Sequence, residues 1–173
     1  MTLRIHKTKV SKVKNVYGEE RDSSSSAFTA KSVRAVLVFA LFTFLFHFAR
    51  EILQVPLYAH MSTLSHWQAI LICLKATLGD IGIALAAFGV GAWRGSGQTW
   101  FVQPAASTVA AYLATGVLIT IVFEWYAVLW AGRWAYSELM PVVPLFGVGL
   151  APIAQWIVLP PLVLHFLRRH DRS

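Results

Sequence analysis

Apolar residues run along this chain in four long stretches separated by short polar connections. The stretches cover about 33–55, 67–93, 105–131 and 141–167. Each is at least as long as the roughly 20 mostly apolar residues that a helix needs to cross a hydrocarbon core. The connections at 56–66, 94–104 and 132–140 have the short lengths found between neighbouring antiparallel helices. Open strands leave unpaired edges in lipid, which disfavours a sheet. The pattern predicts an all-α fold, an integral membrane four-helix bundle.

Polar positions inside the stretches are regular. His47, Arg50, Glu51, Gln54 and Tyr58 follow helical spacing and share one stripe. Cys73, Ala76, Thr77, Asp80, Ala84, Ala87 and Gly91 do the same in the second stretch, and their small side chains let helices approach closely. Gly116, Thr120 and Glu124 align in the third, and Gly147, Ala151 and Gln155 in the fourth. Lys75 lies off the second stripe, placed to snorkel or to pair elsewhere. Pro56 is expected to end or bend the first helix, and Pro152, Pro160 and Pro161 to bend the fourth. Pro141 and Pro144 fit that helix's entry turn.

Composition agrees with the pattern. Hydrophobic residues make up 57% of the chain and charged residues 13%, too apolar for an ordinary soluble domain. Lys and Arg number 15 against 8 Asp and Glu, and this excess sorts by position. It falls in the first 34 residues, at Arg94, and at Arg168, Arg169 and Arg172, whereas 56–66 has no Lys or Arg and 132–140 only Arg133. Positive connections stay cytoplasmic, so both termini are expected on the cytoplasmic side, in agreement with an even number of spans. Residues 1–32 read as a disordered basic arm able to touch anionic headgroups, 33–167 as the membrane domain and 168–173 as a basic tail. The arm has no aromatic or Gly-rich recognition element, so no nucleic-acid partner is expected. It also lacks the form of a cleaved signal peptide. A single cysteine, Cys73, excludes an intramolecular disulfide and a multi-thiolate metal site.

Ionisable groups in a span cost at least about 2.5–3.5 kcal/mol each at its centre and mark function by default. His47, Glu51, Asp80 and Glu124 are therefore the candidate catalytic groups. Arg50, Gln54, Tyr58, Lys75, Gln155, Trp125 and Trp156 are the candidate ligand contacts. With a rise of about 1.5 Å per residue, Glu51, Lys75 and Glu124 lie about 10–12 Å below the outer helix ends, and His47, Asp80 and Gln155 about 16–21 Å. They form two layers of a polar cup that opens outward over a nearly apolar inner half. His47 and Glu51, four residues apart, suit proton movement. An interhelical polar clasp, for instance Glu51 with Arg50 or Lys75, is the bland alternative. No tight double-His spacing appears, so no metal or other cofactor is expected. Trp67, Trp125, Tyr126, Trp130, Trp134 and Tyr136 are placed as an outer aromatic belt, and Trp93, Trp100 and Phe101 mark the inner boundary.

The His-x-x-x-Glu of the first span (His47, Glu51) and the run Trp156-Ile157-Val158-Leu159-Pro160 resemble features of the emopamil-binding, or EXPERA, domain. That resemblance implies a four-span bundle and an intramembrane cavity for sterol-like or cationic amphiphilic ligands. It also implies proton handling by acidic residues and a histidine, as in the sterol isomerases of that family. The second span departs from the pattern, with Lys75 and Asp80 where the isomerases would have a Glu. The E-x-x-Q-x-P-L-Y run from Glu51 and the Gly79-Asp80 pair also resemble small bacterial inner-membrane proteins, which implies location alone.

Three functions compete on this basis. One is binding or isomerisation of a lipophilic small molecule. A second is a proton- or ion-coupled carrier or channel subunit, and a third is a structural subunit of a membrane complex. Membrane lipids are expected partners in each, and a homo-oligomer or membrane partner in the latter two.

Overall fold

The first apolar stretch forms α1, Ala30–Leu57, in the computed structural model, which describes residues 30–95 and 97–172. The expected basic arm therefore lies outside the described residues up to position 29, and residues 30–32 already belong to α1. Ala35, Phe39, Thr43 and His47 recur every four residues and are buried. On the other side Val33, Leu37, Leu41 and Leu45 are 50–65% exposed. A helix of a water-soluble domain carries polar residues on such a face, so an exposed leucine row is a surface suited to lipid. Around Pro56 the α-helix tightens into a 3-10 turn, Val55–Leu57, and then leaves helical geometry at Tyr58.

Ser65 starts α2, His66–Arg94, through a reciprocal cap in which its hydroxyl accepts from Gln68 N–H and the Gln68 side chain accepts from Ser65 N–H. The helix α3, Ala106–Trp125, passes into a π-helical turn, Tyr126–Trp130. After an irregular stretch come β1, Val142–Val143, and β2, Val148–Gly149, paired antiparallel. The last element is α4, Leu150–Arg172. The first, second and third helices plus the π turn, together with α4, provide four helices long and apolar enough to cross a membrane.

The fourth apolar stretch differs from expectation at its start. Residues 142–149 form a hairpin, and α4 begins at Leu150, not at Pro141. Pro141 and Pro144 have no N–H to give a helix, and Gly147 takes φ 65°, a left-handed conformation that glycine adopts without steric cost. Gly147 thus belongs to the turn and not to a helical stripe with Ala151 and Gln155. Pro152 falls in the first turn of α4, while Pro160 and Pro161 lie inside the helix.

One end of the bundle, which holds Ala30, the α2–α3 connection and the end of α4, is solidly packed. Phe88 stacks near Phe39, Trp100 and Phe101, with ring centroids 4.5, 5.5 and 6.1 Å away. Trp100 also meets Tyr112, and Val163, Leu164 and Leu167 of α4 close the cluster. Trp100 and Phe101 were expected at a membrane boundary on sequence grounds, yet both are almost wholly buried. The reason is local. A 3-10 turn, Gly97–Thr99, folds the connection back, and Gly91 and Gly95 leave room for the indole against α2. Arg168 secures the same connection by donating from Nε to the Phe101 carbonyl at 2.6 Å. Trp93, 83% exposed, does stand at the surface of this end.

Candidate functional site

The other end of the bundle is hollow. A cavity of about 980 Å³ lies between α1, α2, α3 and α4 beneath the two connections. Drug-sized ligand sites run from about 300 to 1,000 Å³. The roof is built by pairing the connections. Tyr58 and Tyr136 form an isolated antiparallel bridge, Ala59 N–H donates to Ala135 O at 2.9 Å, and Ser137 N–H donates to Leu57 O at 2.9 Å. The Ser137 hydroxyl adds a bond to Pro56 O at 2.8 Å. Burial pushes the Tyr58 phenol above its ordinary range, with a further push from the Glu124 carboxylate.

The floor is organised by Asp80. Its stripe on α2 points the carboxylate between α1 and α4. His47 Nδ1 is 3.0 Å from Asp80 Oδ2, within hydrogen-bond distance. Arg50 Nη1 is 3.6 Å from the same oxygen, and Gln155 Nε2 donates to Oδ1 at 3.4 Å. One carboxylate therefore links three helices. Arg50 also pairs with Glu51. That pair lies within α1, so the contacts that join helices are those of Asp80 and not of Glu51.

Glu124 sits on the α3 wall at the start of the π turn. A π turn holds one residue more per turn than an α-helix and is often found at functional sites. Ala131 N–H donates to Tyr126 O at 2.9 Å, and the chain then turns back over α3. This return brings two donors onto one oxygen of Glu124: Tyr136 Oη at 2.6 Å and Trp134 Nε1 at 3.2 Å. Burial and this hydrogen bond to a carboxylate push the Tyr136 phenol upward. Both aromatic residues were read from sequence as belt members, and their donor role went unseen. A buried acid needs donors, and the nearest aromatic N–H and O–H groups on the following connection were the available signal.

Of the candidate residues, Arg50, Glu51, Tyr58, Lys75, Asp80, Glu124 and Gln155 line the cavity. His47 is buried beneath it through its contact with Asp80. Gln54 is buried but stands outside the cavity wall. Trp156 is fully buried against Gly116, where an added Cβ would overlap the indole, and its ring lies 6.1 Å from that of His47. Trp125 is 45% exposed and meets Trp130 on the outside of the bundle. Apolar wall residues such as Val55, Leu64, Ile72 and Ile83 carried no polar signal and were not singled out.

Two buried polar groups on the wall are incompletely matched. The Thr120 hydroxyl and the Gln155 side-chain oxygen have no hydrogen-bond partner among the described residues. Exposed lining residues lie on α2 at Ile72, Lys75, Ala76 and Gly79, on α3 at Phe123, and in the roof connections at His60, Gly132, Arg133 and Ala135. An added Cβ at Gly79 would meet nothing within 4 Å. The cavity thus opens on the flank of the bundle, along segments long and apolar enough to cross a membrane, and also at the edge of the roof. Among the described residues no group of three or more His, Cys, Asp or Glu side chains is placed to hold a metal. Chemically, the site offers a wide apolar chamber, proton-bearing pairs at its floor and hydrogen-bonding groups left over for an occupant.

Comparison with models of protein families, with curated proteins and with solved structures finds no match to this chain.

Proposed function

We propose that the chain is a multi-pass protein of a bacterial inner membrane that binds a lipophilic small molecule in the flank-opening cavity. The observation that carries this reading is the combination of volume, position and lining. A chamber of about 980 Å³ with an apolar wall and a polar floor opens sideways from spanning segments. An orientation with both termini cytoplasmic is supported by the charge distribution: Lys31, Arg34, Arg94, Arg168 and Arg169 lie at the packed end, and only Arg133 in the roof.

The resemblance to the EXPERA domain adds isomerisation as a use of the bound ligand. His47 with Asp80 forms the pair suited to holding a proton, and Glu51 and Glu124 line the chamber above it. The carrier reading gains less support, because the packed aromatic cluster around Phe88 fills the bundle below the floor.

Native mass spectrometry of gently extracted protein tests the proposal. A lipid-like mass retained on the chain is the expected result. A bare chain after extraction in several mild detergents and in lipid nanodiscs contradicts it.

A further inference from the structure

The charges around the cavity are not equally engaged. Each acid has a donor within the bundle: Asp80 has His47, Arg50 and Gln155, Glu51 has Arg50, and Glu124 has Tyr136 and Trp134. Arg50 is consumed between two carboxylates. Lys75 and Arg133 differ. Both line the cavity and are exposed, and neither side chain makes a hydrogen bond or ion pair among the described residues. Formally the lining is balanced, with Arg50, Lys75 and Arg133 against Glu51, Asp80 and Glu124, but the charges left without a partner among the described residues are the two cations, whereas the sequence alone directs attention to the acids.

Lys75 is the more telling of the two. It sits nine residues into α2, about 13 Å along the helix from His66, on an apolar segment. An ammonium at such depth is costly without an anion. Its neighbours on the cavity face are Ile72, Ala76 and Gly79, which offer none. Arg133 lies at the edge of the roof, the position a solvated cation would take.

We infer that the ligand is an amphiphile with an anionic head, phosphate or carboxylate, whose head meets Lys75 and whose apolar chain lies along the Ile72–Ile83 wall. It enters through the flank between α2 and α3. This rests on the reading of the cavity as a ligand site, and it runs opposite to the cationic amphiphiles that the EXPERA resemblance implies. The unmatched Thr120 hydroxyl and Gln155 oxygen suit a hydroxyl on the same head.

Four probes separate the possibilities when their binding to the full chain is measured in uncharged detergent. They are 1-oleoyl lysophosphatidate, its phosphate-free counterpart monooleoylglycerol, oleylamine, and glycerol 3-phosphate as a head without a chain. Lysophosphatidate is expected to bind at least about tenfold more tightly than monooleoylglycerol, the size of one hydrogen bond to a charged group. Lys75→Gln is expected to abolish that difference and Lys75→Arg to keep it, with Arg133→Gln as a second variant that changes only an exposed roof residue. Glycerol 3-phosphate is expected neither to bind nor to displace lysophosphatidate.

Monooleoylglycerol or oleylamine binding as tightly as lysophosphatidate overturns the inference and leaves the cavity reading intact. The same holds if Lys75→Gln and Arg133→Gln both leave the preference unchanged. Displacement by glycerol 3-phosphate overturns the amphiphile and assigns the cations to a free anion. Failure of every probe to bind overturns both the inference and the reading it rests on.

Discussion

Along α2 one helix meets two different surroundings. At Gly91 an added Cβ would come within 2.6 Å of the Trp100 ring, whereas at Gly79 it would meet nothing within 4 Å. Gly91 belongs to the buried stripe of α2, where it admits an indole and closes the core. Gly79 lies off that stripe, exposed at the cavity edge, with open space beside it as at Gly82 and Gly89. The stripe marks close approach, and a small residue off it leaves room. The same contrast holds between the polar ends. Arg168 is spent on one carbonyl of the packed end, while Lys75 and Arg133 face the hollow one unpaired among the described residues.

The contrast can be broken most forcefully in the packed end. Phe88→Ala removes the ring at the centre of the aromatic cluster and is expected to cost about 3–5 kcal/mol, read as a drop in thermal unfolding temperature in mild detergent. A much smaller loss, under about 1 kcal/mol, means that this end is not the tightly packed half. Asp80→Asn tests the floor. It weakens contacts to α1 and α4 together and is expected to cost about 1.5–3 kcal/mol. Glu51→Gln touches only Arg50 and should cost less, so equal losses contradict the role of Asp80 as the link between helices.

Gly91→Ala forces a methyl against Trp100 and is expected to destabilise by about 1–3 kcal/mol, measured by the same unfolding assay. Gly79→Ala is the mirror experiment. It adds a methyl into open space and improves helix propensity, so stability is expected to stay level or rise by up to about 1 kcal/mol. Matching losses at both glycines would erase the distinction between the two positions.

The roof adds a pH dependence of modest size. The folded state holds the Tyr58 and Tyr136 phenols protonated beyond their usual range, through burial and, for Tyr136, the bond to Glu124. In the unfolded chain they ionise near 10, as free phenols do. The folded state then binds more protons, so this contribution is full below that pH and declines as pH rises through and above it. Tyr136→Phe removes part of the decline, which a series of unfolding curves from pH 8 to pH 11 will show.

Periodicity made the four helices, the buried stripe of α1 and the His47–Glu51–Asp80–Glu124 grouping legible in the sequence. Helical spacing alone puts those residues on inward faces, and few other polar groups occur nearby. What periodicity could not reach were contacts made by irregular backbone. The roof joins Leu57–Ala59 to Ala135–Ser137, segments about 78 positions apart with no repeating pattern. Trp134 and Tyr136 come back over Glu124 because a π turn redirects the chain, and nothing in residue type announces that turn. The hairpin at 142–149 lies in an apolar run that resembles the helix following it, and only Pro141, Pro144 and Gly147 distinguish the two. Trp100 and Phe101 look like interfacial aromatics by position; the glycines of α2 that accept them are the cue to their burial.

The proposed lipophilic ligand sits in the hollow end of the bundle and enters from the membrane side. This is tested by native mass spectrometry of the wild type beside Gly79→Leu, which adds bulk at a residue that lines the cavity. The account predicts a retained lipid-like mass on the wild type and its loss from Gly79→Leu, with both proteins unfolding at similar temperatures. The same mass on both, or on neither, contradicts it.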